Sequence, residues 1–445
     1  MATKSASPEA FQILREIGVI DLPEDWDIVR VESLLCDERG IAVGVMYPGD
    51  HDPAGIPLIK AGDLFGNRVN PRPEFRITAD KHHEYRRTEL TGGELLISLV
   101  GDVGRCAPVP PEMAGWNAAR AIAVLRFSRP ADAAFVRDCL MSSPLQLLMQ
   151  AWSTTTVQAT LNLKEIRQIP LPWPPKEQRD AIVHILRTLD DKIELNRTID
   201  QTLETLARAT FKSWFVDFDP IRAKAEGRQP YGMDAGTVAL FPDSFEDSEL
   251  GKIPKKWRVA ALGELIEIIK GRSYKSEELI ESDTALVTLK SFARGGGYRP
   301  DGLKSFAGTY KPEQVVEAGD VVIACTDVTQ AAEVIGRPAV VRQSTRYQRL
   351  VASLDTLIIR PKDGRITRAF LFLLCSTGIF TEHTYAYTTG TTVLHLAKEA
   401  VPSFRFPLPS EKLVRALDHL IGPILARIQH AESETETLGK LCTGS

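Results

Sequence analysis

Six cysteines in 445 residues lie far apart, and no two form a CxxC pair. Cys36, Cys106, Cys139, Cys325, Cys375 and Cys442 therefore suggest neither a zinc site nor a disulfide framework, and read as plain thiols in a reducing compartment. No apolar run approaches the roughly 18 residues that span a bilayer. The opening MATKSASPEAFQILREIGVI also lacks the continuous apolar core of a secretory signal. These absences predict a soluble, cytoplasmic protein with no membrane partner.

The signatures of catalysis are missing too. The chain has no GxxxxGK[ST] phosphate loop, no HExxH and no GxSxG. DNA methyltransferases carry an Asn- or Asp-Pro-Pro-aromatic tetrapeptide; Asn70-Pro71-Arg72-Pro73 lacks both the second proline and the aromatic. Gly295-Gly296-Gly297 lacks GxGxxG spacing and reads as a flexible loop. His82 and His83 are adjacent, so a regular element would not point both at one metal. No catalytic residue, metal ligand or cofactor is expected on this chain, which argues against a self-sufficient methyltransferase.

What is present is ordinary globular composition, 43% hydrophobic and 25% charged, with a length that suits two to four domains. The sequence repeats itself. LPEDWDIVRVESLL from Leu22 matches IPKKWRVAALGELI from Ile253, pairing Pro23 with Pro254 and Trp26 with Trp257 at a constant offset of 231 that continues to Gly40 and Gly271. PLIK at Pro57 aligns with VTLK at Val287, GELLIS at Gly93 with GDVVIA at Gly319, and IPLP at Ile169 with FPLP at Phe406. Five collinear matches in one order point to a duplication.

Within each half, short β-branched runs such as ELLISLV, RAIAVLRF, DVVIACT and DTLIIRP, bounded by Gly, Pro and Asp, predict strands. AFVRDCLMSSPLQLLMQAW and AFLFLLCSTGIFTEHTY have helical period and occupy the same relative place, each predicting one late helix. The fold class is therefore α+β, with tandem, mostly antiparallel β domains, each followed by a long helix. In the first helix Ile182, Leu186, Leu189, Ile193, Ile199, Leu203 and Leu206 form an apolar stripe interrupted by Asn196. In the second, Leu413, Leu417, Leu420, Ile424 and Ile428 recur on similar spacing, with Leu438 beyond. A rod of about 40 residues, roughly 60 Å, cannot bury its stripe on one small domain, so the two helices are expected to pair as an antiparallel coiled coil. Gly422-Pro423 should kink or break the second helix, and the polar stretch 431–437 should fray. The resulting division is a recognition domain at 1–174, a helix at 175–219, a connector at 220–252, a second recognition domain at 253–408 and a second helix at 409–445.

A net charge of −4 disfavours nucleic acid at first sight, yet the positive residues cluster. Lys290, Arg294, Arg299, Lys304 and Lys311 face a single Asp301, with Tyr298 and Tyr310 interleaved; Arg342 and Arg346 lie in an acid-free stretch, and Arg272 and Tyr274 precede both. In the first half Arg68, Asn70, Arg72, Arg76, Lys81 and Arg86 form a comparable group. Such side chains neutralise phosphates and read base edges, which marks double-stranded DNA as the candidate ligand. A coiled-coil scaffold with protein-binding ends is the competing reading.

The segments TTTVQATLNLKEIRQIPLPWPPKEQRDAI, ATFKSWFVDFDPIRAKAEG and TTGTTVLHLAKEAVPSFRFPLPSEK, in this tandem order, resemble the DNA specificity subunit of type I restriction-modification enzymes over nearly the whole chain. That resemblance implies two target recognition domains reading a split asymmetric site, with the paired helices as a spacer. It further implies docking of two modification (methyltransferase) subunits that bring S-adenosylmethionine, and of restriction (translocase and endonuclease) subunits that use ATP and Mg. One departure is that the second junction has HLAKEAV where the first has NLKEIRQ.

Overall fold

The computed structural model describes residues 8–443 apart from Ile20, Arg39, Gly66, Asn67, residues 156–158, Thr329 and Gln330. The expectations that rest on the first seven residues, on the Cys442 side chain and on the middle of TTTVQAT lie outside the described residues. The chain divides into two compact units, one of Met1–Asn196 with Ser433–Ser445 and one of Arg197–Glu432.

Each unit carries the same topology. In unit 1 the strands Ile41–Val43, Ile122–Leu125, Leu95–Ser98 and Cys106–Pro108 lie in that order in an antiparallel sheet. In unit 2 the order is Ile266–Lys270, Thr356–Pro361, Val321–Ala324 and Pro338–Val340. Beside each sheet stands one parallel pair, Ile56–Ile59 with Asn117–Ala118 and Thr284–Val287 with Arg349–Ala352. The first and last strands of each recognition domain also pair, Asp27–Arg30 with Pro170–Trp173 and Arg258–Ala261 with Arg405–Leu408. Central strands such as Leu95–Ser98 and Val321–Ala324 are buried along their whole length, which their unbroken apolar runs require.

The backbone corrects three of the sequence matches. Gly271 corresponds to Gly44, not Gly40: Gly44 N–H donates to Ile122 O and Gly271 N–H to Thr356 O, and the next residues, Val45 and Arg272, form parallel bridges to Ala119 and Ser353. A Cβ on Gly44 would lie 2.2 Å from Ala118 O, and one on Gly271 2.0 Å from Ser353 O, so close backbone approach dictates both glycines. Ile59 O accepts from Ala119 N–H as Val287 O does from Ser353 N–H, so Ile59, not Pro57, is the counterpart of Val287. Likewise Ile169 O accepts from Val31 N–H and Phe404 O from Leu262 N–H, which moves the IPLP match by two residues. A two-residue slip preserves the in–out alternation of a strand, so hydropathy cannot detect it. The match of Gly93 with Gly319 stands: both have φ of +88°, and their N–H groups donate to Val109 O and Val341 O.

Where one late helix was expected in each half, there are two. Asp132–Met141 and Ser143–Trp152 are separated at the extended Ser142, and Pro144 stands in the first turn of the second helix, where its missing N–H leaves no helical bond unmade. Arg368–Cys375 and Gly378–Ala386 are separated by Thr377, whose side chain caps the second helix by accepting from Phe380 N–H. The connector is also structured. It contains helices Asp219–Ala225 and Ala235–Leu240 and the hairpin Phe245–Ser248 with Gly251–Pro254. Ile221 and Phe241 from it join Trp214, Phe215 and Trp257 in the core of unit 2.

The long helices run Lys176–Phe215 and Glu411–Thr443. The second is continuous across Gly422-Pro423 and through the polar stretch expected to fray. Gly422 and Pro423 are both exposed, while Ile421 and Ile428 on the opposite face are buried, so the ring meets solvent instead of packing. The far end is held within unit 1, where Glu434 accepts from Asn196 Nδ2 at 2.8 Å and pairs with Lys192 at 3.4 Å. Asn196 is therefore fully buried, not a gap in the stripe. Leu206 and Leu420 are about half exposed; their stripe places go to Ala207 and Ile421, one residue on in each helix. Within unit 2, Ala207, Phe211 and Trp214 of the first helix share a core with Leu413, Leu417 and Ile421 of the second. Among the described residues no helix is long and apolar enough to cross a membrane. Cys36, Cys106, Cys139, Cys325 and Cys375 are free thiols.

Candidate nucleic-acid interface

In each unit the first strand of the parallel pair runs into a tight turn, a narrow hairpin and a return strand. In unit 1 these are Ile56–Ile59, Ala61–Asp63, the pair Leu64–Phe65 with Arg68–Val69, and Arg76–Ile77. In unit 2 they are Thr284–Val287, Leu289–Ser291, a loop closed by the Phe292–Tyr298 bridge, and Lys304–Ser305. The turns are held alike: Lys60 N–H donates to Asp63 Oδ2 at 2.9 Å, and Thr288 N–H to Ser291 Oγ at 3.2 Å. Asn70 N–H then returns to Asp63 O and Arg299 N–H to Ser291 O, each at 2.8 Å. Leu64 and Val69, like Phe292 and Tyr298, are buried at the hairpin base. One frame thus recurs with different side chains presented on it, and Asn70 and Arg299 occupy the same position.

Most of the sequence-predicted DNA residues decorate these frames. In unit 2 Lys290 is exposed and makes no ion pair among the described residues, Arg294 is 78% exposed and 3.2 Å from Glu333, and Arg299 is gripped by Asp301. Arg346 lies exposed over the Tyr347 ring, and Ser305 donates to the Tyr347 hydroxyl at 3.3 Å, which ties this residue to the same assembly. In unit 1 Arg72 and Arg86 are exposed and unpaired among the described residues, whereas Lys81 pairs with Glu84 and Arg68 with Glu194 on the long helix. Arg76 donates to Gly55 O, and Asn70 donates to Asp63, so both hold turns.

Four others are placed differently from what a DNA-facing role requires. Tyr298 is buried, and burial pushes its phenol well above the usual range. Arg342 pairs with Glu432 of the second long helix, and burial lowers its pKa against the opposing effect of Glu204 and Asp200. Arg272 is tied to Glu278 at 2.9 Å, and Tyr274 packs against Leu286, Phe306 and Val351. Arg342 and Arg272 hold loops to the scaffold; residue type alone could not separate them from cations that face solvent.

Sequence reasoning also missed a duplicated buried acid. Glu94 and Asp320 follow the matched glycines, are almost inaccessible, and face Arg126 at 3.6 Å and Arg360 at 3.1 Å. The matched segments GELLIS and GDVVIA carried that signal. A second buried carboxylate, Asp138, sits against Arg137 at 2.9 Å; burial pushes it up to about 6, with Arg137 opposing.

Two copies of one α+β domain, with basic side chains on or beside equivalent hairpin frames and long helices after each, define a tandem-repeat protein with a candidate polyanion-binding face on each copy. The family follows from comparison with known proteins. A model of the type I restriction modification DNA specificity domain matches residues 50–205 and 254–440, so the chain belongs to that family. Its members are the non-catalytic sequence-specificity subunits of type I restriction-modification systems. The chain is 25% identical over 339 residues to the type I restriction enzyme HindI specificity subunit of Haemophilus influenzae, covering 66% of this chain and 71% of that protein. It is 21% identical over 440 residues to the MjaVIII specificity subunit of Methanocaldococcus jannaschii, covering 96% and 92%. Among solved structures, the type I S subunit from M. genitalium aligns over 95% of this chain and 96% of that one, at 13% identity and a TM-score of 0.49.

Proposed function

We propose that this chain reads an asymmetric, bipartite DNA site, one half per unit, for a type I restriction-modification complex in the cytoplasm. The observation that carries the proposal is the repeated frame: scaffold contacts are duplicated while the exposed surface is not, since unit 2 presents Lys290 and Arg299 where unit 1 has Gly62 and the turn-holding Asn70. A protein that had to bind the same partner twice would have reason to keep those surface positions alike; one that reads two different half-sites has reason to vary them. The recognition domains are 1–174 and 253–408, the intervening 220–252 joins them, and the helices at 175–219 and 409–445 form the spacer. The antiparallel coiled-coil reading is supported within unit 1 by Lys192 and Asn196 meeting Glu434, and within unit 2 by the shared core. Two modification subunits dock on that spacer and bring S-adenosylmethionine; restriction subunits add ATP- and Mg-dependent translocation and cleavage.

Methylome sequencing of a host with and without this chain tests the reading. The expected result is a two-part methylated motif with a fixed gap that disappears with the chain; an unchanged methylome refutes it. With the assembled complex, affinity for motif DNA should also fall steeply as salt rises, because phosphate contacts release counterions. A scaffold held by apolar seams would show little of that dependence.

A further inference from the structure

Asn70 and Arg299 stand at one position of the repeated frame, yet their side chains are prepared for different work. The Asn70 amide is engaged at both ends: Nδ2 donates to Asp63 Oδ1 at 2.8 Å, and Oδ1 accepts from Arg72 N–H at 3.0 Å. It holds a turn. The Arg299 side chain is 53% exposed, with Nε donating to Asp301 Oδ1 at 3.1 Å and Nη2 donating to Asp301 Oδ2.

A carboxylate in that position occupies one edge of the planar guanidinium. The other edge, Nη1 with the second hydrogen of Nη2, makes no hydrogen bond among the described residues, so on this half-exposed side chain two parallel N–H donors remain free. That edge matches the O6 and N7 acceptors of guanine in the major groove. The support beneath it is rigid. Arg299 N–H is bonded to Ser291 O, and Asp301 sits in the turn Pro300–Gly302, where a Cβ on Gly302 would lie 2.0 Å from Lys290 O. Arg299 is thus oriented before any ligand arrives, so less entropy is lost when it binds. Lys290 and Arg294 on the same assembly supply neighbouring positive charge for the phosphates.

Other exposed arginines are gripped in a similar way but lack this setting. Arg365 is held by Asp363, and its Nη2 reaches Glu264 O at 3.2 Å, which takes the other edge. Arg228 is held by Glu226 outside the hairpin assembly. We propose that Arg299, buttressed by Asp301, is a guanine-reading residue, so that the half-site held by unit 2 contains a G·C pair at the position it faces. This rests on the DNA-reading function proposed above.

The test measures binding of the complex assembled with its modification subunits to motif duplexes in which each guanine is replaced in turn by 7-deazaguanine. That base keeps Watson–Crick pairing and lacks N7. One substitution should weaken wild-type binding by about three- to tenfold, because it removes one of the two acceptors of a bidentate contact and leaves O6. Arg299→Ala should become indifferent to that one position and keep its sensitivity elsewhere. Asp301→Asn should shrink the effect, and Arg228→Ala should leave the whole profile unchanged. If Arg299→Ala abolishes binding to every duplex, Arg299→Lys decides, because it keeps the charge and loses the fork: loss of sensitivity at that guanine supports the assignment. A wild-type complex insensitive at every guanine, or an Arg299 variant with the wild-type profile, overturns it. A wild-type complex that prefers no duplex at all fails the DNA-reading function instead, a result distinct from either.

Discussion

Single atoms decide several positions in this fold. Gly44 and Gly271 have ordinary negative-φ backbones, so no turn requirement explains them; the carbonyls of Ala118 and Ser353 do, at 2.2 and 2.0 Å from where a Cβ would stand. Gly271→Ala is expected to cost about 2–4 kcal/mol, because the clash is with backbone that cannot rotate away. Chemical denaturation of the purified chain checks this; a loss under about 0.5 kcal/mol would show that the strands part easily there. Asp138 sets a pH dependence. Its carboxyl is raised to about 6 in the folded chain, so the folded state binds more protons than the unfolded one between roughly pH 4 and 6. Its contribution to stability is full below that window and falls as pH rises through it. The stability of Asp138→Asn, measured against wild type across pH 4–7, should therefore gain on wild type as pH increases; a constant difference would mean that Asp138 is not the titrating group. At this scale the sequence was legible where one atom type decides and obscure where neighbours do. Cationic residues could be named, but burial of Tyr298 and pairing of Arg342 with Glu432 arise from contacts far along the chain.

Elements were easier to foresee than their registers. Strand alternation and helical stripes survive in the pattern of residue types, so the α+β duplication could be read directly. What could not be read was phase: a slip of two in a strand keeps its faces, and a slip of one on a helix moves a leucine only about 100° around the axis. Leu420 and Ile421 illustrate the second case, since both are apolar and only Ile421 is buried. Ile421→Ala is expected to cost about 2–4 kcal/mol, and Leu420→Ala under about 1 kcal/mol in the isolated chain. Equal losses would mean that the two share the stripe. Pro423 is the other decisive residue of this helix. It removes one backbone donor on an exposed face, so Pro423→Ala should stabilise the chain, by up to about 3 kcal/mol, if the native helix gains that hydrogen bond without repacking. A destabilised variant would show instead that the packing around Ile421 and Ile424 depends on the proline.

For the molecule as a whole, duplication separates what is held constant from what is free to change. The paired first and last strands, the buried acid–arginine pairs and the matched turns are constant, and they lie where each unit must fold. The hairpin side chains vary, where the target DNA is read on the proposed function. Spacing is then the task of the two long helices, and the proposal makes it measurable. A seven-residue insertion keeps an apolar stripe in phase, since the stripe recurs about every 3.5 residues. Placed after Ile199 in the first helix and after Ile428 in the second, it falls near Asp200 and Arg427, which face each other electrostatically within unit 2. Each helix lengthens by about 10 Å, close to three base-pair steps of roughly 3.4 Å. The expected methylated motif keeps both halves and widens its gap by about three base pairs. An unwidened gap would show that the helices do not set the distance, and altered half-sites would show that the frames depend on helix length, which their internal bonding gives no reason to expect.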